Sequence, residues 1–142
     1  MMSDTPKALF DVTVLTAAMT TESAGNDPAR AAFTLVTDGR VRGYVCASAI
    51  DALHDFLARS QGQRQARGAL DRLRTLFEIA PVDAGIVDAA IGLGWDYFDD
   101  ALTHECARAQ GLDYLITVNP EDFPGSALKV QPPEAFVREL HG

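Results

Sequence analysis

The sequence predicts a three-layer α/β/α domain on a mostly parallel sheet of four to five strands, and three observations carry that expectation. Short apolar runs of strand length alternate with amphipathic stretches of helical period along the whole chain. Between successive strand candidates lie enough residues for a crossover helix, which parallel neighbours require. Turn and cap residues mark the boundaries, among them Asp27-Pro28, Asp38-Gly39, Gly92, Gly94, Gly111 and Pro132-Pro133.

Taken in order, residues Ala8 to Leu15 read as one buried strand, β-branched and apolar, carrying a single acid at Asp11 and divided by no turn residue. Asp27 then caps a helix with Pro28 at its first position; Ala29, Ala32, Phe33 and Val36 share its inner face and Asp38-Gly39 ends it. Gly43 to Cys46 is a second strand. Ser48 is placed to cap a helix to about Ser60 whose inward line is Ile50, Leu53 and Leu57. A Gln/Arg-rich helix from about Gly62 to Leu76 follows, with Ala66, Leu70, Leu73 and Leu76 as its apolar line. Phe77 to Val82 is a third strand candidate ending at Pro81, a residue that a central ladder position does not tolerate. The next helix starts near Asp83 and breaks at Gly92 or Gly94. Acids from Asp96 to Asp100 open another, which closes at Gly111. Asp113 to Thr117 and Leu128 to Val130 are the fourth and fifth strands, and Pro132-Pro133 sets up a terminal helix from Glu134 to Leu140.

Composition bounds the function. With 142 residues and 47% hydrophobic content, the chain is expected to form a single domain over residues 1–142 and to bury a core without staples. No apolar run approaches the ~20 residues that span a bilayer, and no signal peptide is recognisable, so a cytoplasmic protein without a membrane partner is expected. A net charge of −8 excludes a surface that attracts nucleic acid all round, since phosphate neutralisation needs dense Lys and Arg. A local basic patch remains open, because Arg59, Arg64, Arg67, Arg72 and Arg74 fall close together; the spacing of Arg64, Arg67 and Arg74 reads as a solvated helix face. Cys46 and Cys106 lack metal-ligand or redox spacing and read as small core residues.

The acids suggest chemistry. Asp11 lies in the first strand, Asp51 in the first turns after the second, Asp99 and Asp100 at a helix start, and Asn119 and Asp122 just past the fourth strand. Ligands of open parallel sheets bind beyond the carboxyl ends of the strands, so these oxygens would meet there and build a metal site. An unpaired buried charge such as Asp11 is costly, and clustered carboxylates are driven toward protonation unless a divalent cation compensates them. Ordinary roles compete: Asp99 as a cap, Asp51 as a first-turn acid, Asn119 and Asp122 as turn residues. His54 and His104 have no ligand-spaced partner and are expected to be exposed or to contact a partner. Trp95 and Tyr97 suit rim packing, or stacking on a base.

The pieces Asp11-Val-Thr-Val-Leu15, Ala47-Ser-Ala-Ile-Asp51, Phe98-Asp-Asp-Ala-Leu102, Leu115 to Phe123 and Val130 to Phe136 occur in one order between about Leu9 and Leu140. Together they resemble the PIN-domain nucleases and, within them, the VapC-type ribonuclease toxins of bacterial toxin–antitoxin pairs. That resemblance implies a PIN-like domain acting as a metal-dependent endoribonuclease, with three or four acids holding one or two Mg²⁺ or Mn²⁺ ions. It marks Asp11, Asp51 and Asp100 as catalytic, with Asp99, Asn119 and Asp122 completing the metal set. It also implies an RNA substrate, a small antitoxin that inserts a helix or tail into a groove between outer helices, and a homodimer. The chain departs from the family pattern at Thr13, where an Asn is common, at Ala52, where a subfamily places an Asp, and at Tyr97, where it places an acid. Asp51, Asp55 and Asp96 are the nearest carboxylates, so the displaced acids are either covariation in a working site or erosion into a catalytically degenerate module that binds RNA or protein. A phosphatase-like hydrolase lacks support, because neither G-x-G-x-x-G nor G-x-x-x-x-G-K-[ST] occurs.

Overall fold

The first apolar run does not stay extended. In the computed structural model, which describes residues 5–20 and 24–141, strand β1 (Lys7–Phe10) stops one residue before the acid, and helix α1 (Val12–Ala18) begins one residue after it. Asp11 itself is the divider. Its backbone is extended (φ −63°, ψ 152°), and its carbonyl accepts from the N–H groups of Val14 at 3.0 Å and Leu15 at 3.2 Å. The β-branched residues that suggested a strand are carried in a helix because Val14 and Leu15 are fully buried there, so packing overrides propensity.

After the first helix come α2 (Asp27–Thr37), β2 (Arg42–Cys46), α3 (Ile50–Gln61), α4 (Gln63–Leu76), β3 (Phe77–Ala80), α5 (Ala84–Leu93), α6 (Phe98–Ala109), β4 (Tyr114–Ile116), β5 (Lys129–Gln131) and α7 (Pro133–His141). Short 3₁₀ turns cover Ala24–Asn26, Ala47–Ala49 and Pro120–Asp122. Ser48 therefore lies in a 3₁₀ turn rather than capping α3, whose cap position is Ala49. Asp83 does cap α5, its carboxylate accepting from the Ile86 N–H at 3.0 Å, and Gly94 ends that helix in the left-handed region at φ 66°. The buried line of α4 is Ala66, Ala69 and Leu73; Leu76 is 38% exposed, because the helix ends there and passes into the edge strand β3.

All five strands pair in parallel, in the order β3-β2-β1-β4-β5. Alternate residues of each strand serve opposite faces, as the pleat demands. Ala8, Phe10, Val45 and Ile116 enter one core with buried residues of α1, α2, α3, α4 and α7, while Leu9, Tyr44, Cys46 and Leu115 enter a second core with α6 and, at its margin, α5. That is the three-layer architecture the alternation implied. In the larger core Phe10 meets Phe77 edge-on at 5.2 Å and Phe136 at 6.3 Å. Gly43 makes this packing possible, since a Cβ there would lie 2.6 Å from the Phe77 ring and 2.9 Å from Val36. Among the described residues no helix is long and apolar enough to cross a membrane.

The chain moves from β1 outward to β3 and then returns to the other side of β1 with β4. Phe10 and Ile116 are register partners at that reversal, and the Asp11 N–H donates to the Ile116 carbonyl at 2.9 Å. A crevice opens at such a switch point, beyond the carboxyl ends of the two strands.

Candidate metal centre

Asp11 stands in that crevice because β1 ends beneath it. It is only 5% exposed, and its Oδ2 accepts from the hydroxyls of Thr13 and Thr117, each at 2.8 Å. Burial pushes its carboxyl above the usual carboxylate range, the two hydroxyls and the Val12 N–H pull it back, and the charge of Asp99 adds to the rise. Thr117, fully buried at the end of β4, also accepts from the Asn119 N–H at 3.2 Å, so one hydroxyl ties the acid to the following turn. Thr13 thus fills its position with a hydroxyl that grips the first acid. Thr117 was not singled out from the sequence; the signal was one polar residue closing an otherwise apolar strand.

Helix α6 brings the next acids. Asp99 and Asp100 occupy its first turn, where carboxylates complement the helix dipole. The Asp99 carboxylate accepts from the Asp100 N–H at 3.1 Å. Asp100 is pushed up to about 7, chiefly by burial and then by the charges of Asp11, Asp99 and Asp122. The negative charges of Asp11, Asp99 and Asp122 are thus felt together at Asp100.

A cavity of about 100 Å³ joins these groups, lined by Asp11, Val12, Thr13, Ser48, Ala49, Ala52, Asp99, Asp100 and Thr103. No Lys, Arg or His lines it among the described residues. Three carboxylates and three hydroxyls form an all-oxygen donor set, the kind that suits Mg²⁺ or Mn²⁺. The acids line shared walls without converging: among the described residues no three His, Cys, Asp or Glu side chains stand close enough to hold one ion. Asp51 is exposed and does not line the cavity, whereas Ala52 does; Asp55 is exposed as well. Asn119 and Asp122 are half-buried at the Pro120–Asp122 turn, close enough for the charge of Asp122 to be felt at Asp100.

The other residues of interest fall outside the cavity. Contrary to expectation, His104 is buried (4% exposed), as is its neighbour Glu105, because α6 packs against the sheet on one side and the β4–β5 segment on another. Trp95 packs on His104 and Phe123, while Tyr97 is exposed. Cys46 and Cys106 are buried with their sulfurs 2.9 Å apart, core residues as read. A groove of about 920 Å³ lies between α3 and α4 and includes His54, Arg64 and Arg67.

A family model described as PIN domain matches residues 7–121. The chain belongs to the PIN-domain family. Solved structures share the PIN fold at low identity. VapC20 of Mycobacterium tuberculosis, described as a sarcin-ricin loop cleaving toxin, is 20% identical with a TM-score of 0.62, covering 76% of this chain and 86% of its own. A toxin–antitoxin complex from Klebsiella pneumoniae is 20% identical with a TM-score of 0.67, covering 89% and 97%. FitAcB from Neisseria gonorrhoeae is 20% identical with a TM-score of 0.63, covering 89% and 97%. No curated protein matches this PIN domain in sequence.

Proposed function

We propose that this PIN domain is a metal-dependent endoribonuclease and the toxin of a toxin–antitoxin pair. The observation that carries the reading is the cavity at the switch point, where Asp11, Asp99 and Asp100 share walls with no cationic side chain among the described residues and Asp100 is pushed up to about 7. Asp11 and Asp100 are the primary holders of Mg²⁺ or Mn²⁺, with Asp99, Asp122 and Asn119 supplementing them and Asp51 at the margin. A divalent ion there supplies compensating charge, polarisation of a phosphodiester and a lower pKa for an attacking water. Thr13 and Thr117 hold the Asp11 carboxylate in place, and the arginines of the α3–α4 groove offer a sequence-independent contact for an RNA backbone.

The RNA substrate is supported by the M. tuberculosis neighbour, described as cleaving the sarcin-ricin loop, and the antitoxin partner by neighbours solved as toxin–antitoxin complexes. A homodimer working in the cytoplasm completes the reading. Purified protein supplied with Mn²⁺ or Mg²⁺ is expected to cut RNA, and Asp11→Asn to reduce cutting by at least 100-fold. Undiminished cutting by that variant would sink the assignment.

One observation favours a second reading. Ala52 occupies the cavity wall where an acid is displaced, which a catalytically degenerate module would also show. Calorimetric titration with Mn²⁺ separates the two, since the degenerate module has no carboxylate-dependent binding.

A further inference from the structure

Three consecutive polar residues of α6, Thr103, His104 and Glu105, are buried. Burying an ionic pair is expensive unless its remaining polar atoms are satisfied, and here they form a continuous chain. Arg108 Nε donates to Glu105 Oε1 at 3.1 Å, and His104 Nδ1 lies 2.8 Å from Glu105 Oε2. A carboxylate only accepts, so Nδ1 carries the proton and donates. On the far side of the ring, Nε2 lies 2.7 Å from Ser126 Oγ, which also accepts from the Leu128 N–H at 2.9 Å.

Ser126 belongs to the segment that leaves β4 and carries Asn119 and Asp122 past the cavity. A connection of this length is ordinarily mobile. This one is pinned twice beyond the acids: Phe123 is buried edge-on against Trp95 at 5.8 Å, and Ser126 sits on His104, whose ring packs at a tilt against the same Trp95 at 5.0 Å. At its other end the segment is held by Thr117, through the Asn119 N–H. Asp122 therefore hangs between two anchors, and its charge reaches Asp100.

We propose that His104, oriented by Glu105, is a positioning residue that acts through Ser126 to fix the β4–β5 segment and so hold Asp122, in the turn that follows β4, at the carboxyl edge of the sheet beside the carboxylate cavity. The proposal rests on reading that cavity as the metal centre. Groups that orient ligands in this way typically contribute 10–100-fold in metal affinity.

Ser126 is the residue to vary, because removing His104 leaves the buried Glu105 Oε2 without its donor and threatens the fold itself. Mn²⁺ binding by calorimetry is compared for the wild type, Ser126→Ala, Ser126→Thr, Asp122→Asn and the Ser126→Ala/Asp122→Asn double variant, with hydrogen exchange of the segment's amides in EDTA alongside. Ser126→Ala is expected to weaken Mn²⁺ binding about 10-fold and to speed exchange between Asp122 and Leu128 at least 10-fold. Ser126→Thr, which keeps the hydroxyl, is expected to restore both, and in the Asp122→Asn background Ser126→Ala adds less than twofold. Binding within twofold of the wild type for Ser126→Ala, or an undiminished loss in the Asp122→Asn background, overturns the proposal. A wild type that binds no Mn²⁺ overturns the metal reading instead, and the exchange data then decide the tether: unchanged protection in Ser126→Ala refutes it.

Discussion

Replacing Thr117 with Val tests whether the buried Asp11 is ionised and held by hydroxyls. The side chains are nearly the same shape, so little packing is lost, but the change removes the donor 2.8 Å from Asp11 Oδ2 and the acceptor 3.2 Å from the Asn119 N–H. A hydrogen bond to a charged group contributes about 1.5–3 kcal/mol, and Asn119, being half-buried, recovers much of its loss from water. Thr117→Val should therefore lower stability by about 2–3 kcal/mol in urea unfolding followed by circular dichroism at pH 7.5 in EDTA, with the m-value unchanged. The charge dependence is the sharper test. In an Asp11→Asn background the same substitution removes a neutral hydrogen bond, and its cost should fall to about 1 kcal/mol. The wild-type penalty should likewise shrink as pH falls through the raised pKa of Asp11, because Thr117 favours the ionised form. A Thr117→Val protein within about 0.5 kcal/mol of the wild type, or an equal cost in both backgrounds, would refute the claim that the hydroxyl holds an ionised Asp11.

Two further outcomes follow from the geometry. Gly43→Ala pushes a methyl to 2.6 Å from the Phe77 ring, and overpacking of this kind should cost about 1–3 kcal/mol, read as a fall of roughly 3–10 °C in melting temperature; an unchanged melting temperature would show that Phe77 yields freely. Asp100, raised from 3.8 to about 7, binds its proton more tightly in the folded state, so its contribution is fully present below about pH 4 and is lost as pH rises toward 7. Asp100→Asn in EDTA should accordingly gain stability over the wild type across that interval, by about 1–2 kcal/mol once solvent screening of a half-exposed group is allowed for, and a difference that stays flat with pH would contradict it.

Position along the fold's axis was open to sequence reasoning in a way that rotation about each element was not. Strand candidates, caps and glycines are local signals, and they located the last four strands and the later helices to within a few residues. The same signals put Asp11, Asp51, Asp100, Asn119 and Asp122 near the carboxyl edge of the sheet, since ligands gather there in any parallel sheet. The first helix escaped because a short β-branched run has no period that separates strand from helix, and only burial of Val14 and Leu15 decides it.

Which side chain faces the cavity depends on rotation, which long-range packing sets. In α3 the buried residues are Leu53 and Leu57, and with those turned inward Ala49 and Ala52 line the cavity while Asp51, about 100° away, is left exposed. A single residue's displacement therefore separates an acid in the cavity from an acid beside it. In α6 the helix is enclosed nearly all round, so the polar run Thr103-His104-Glu105, which cannot share one solvent face at 100° per residue, is turned inward and must find partners. A helix carrying three successive polar residues between buried Ala101 and Cys106 is thus already a sign of an internal network, and Ser126 is where that network leaves the helix to reach the segment bearing Asp122.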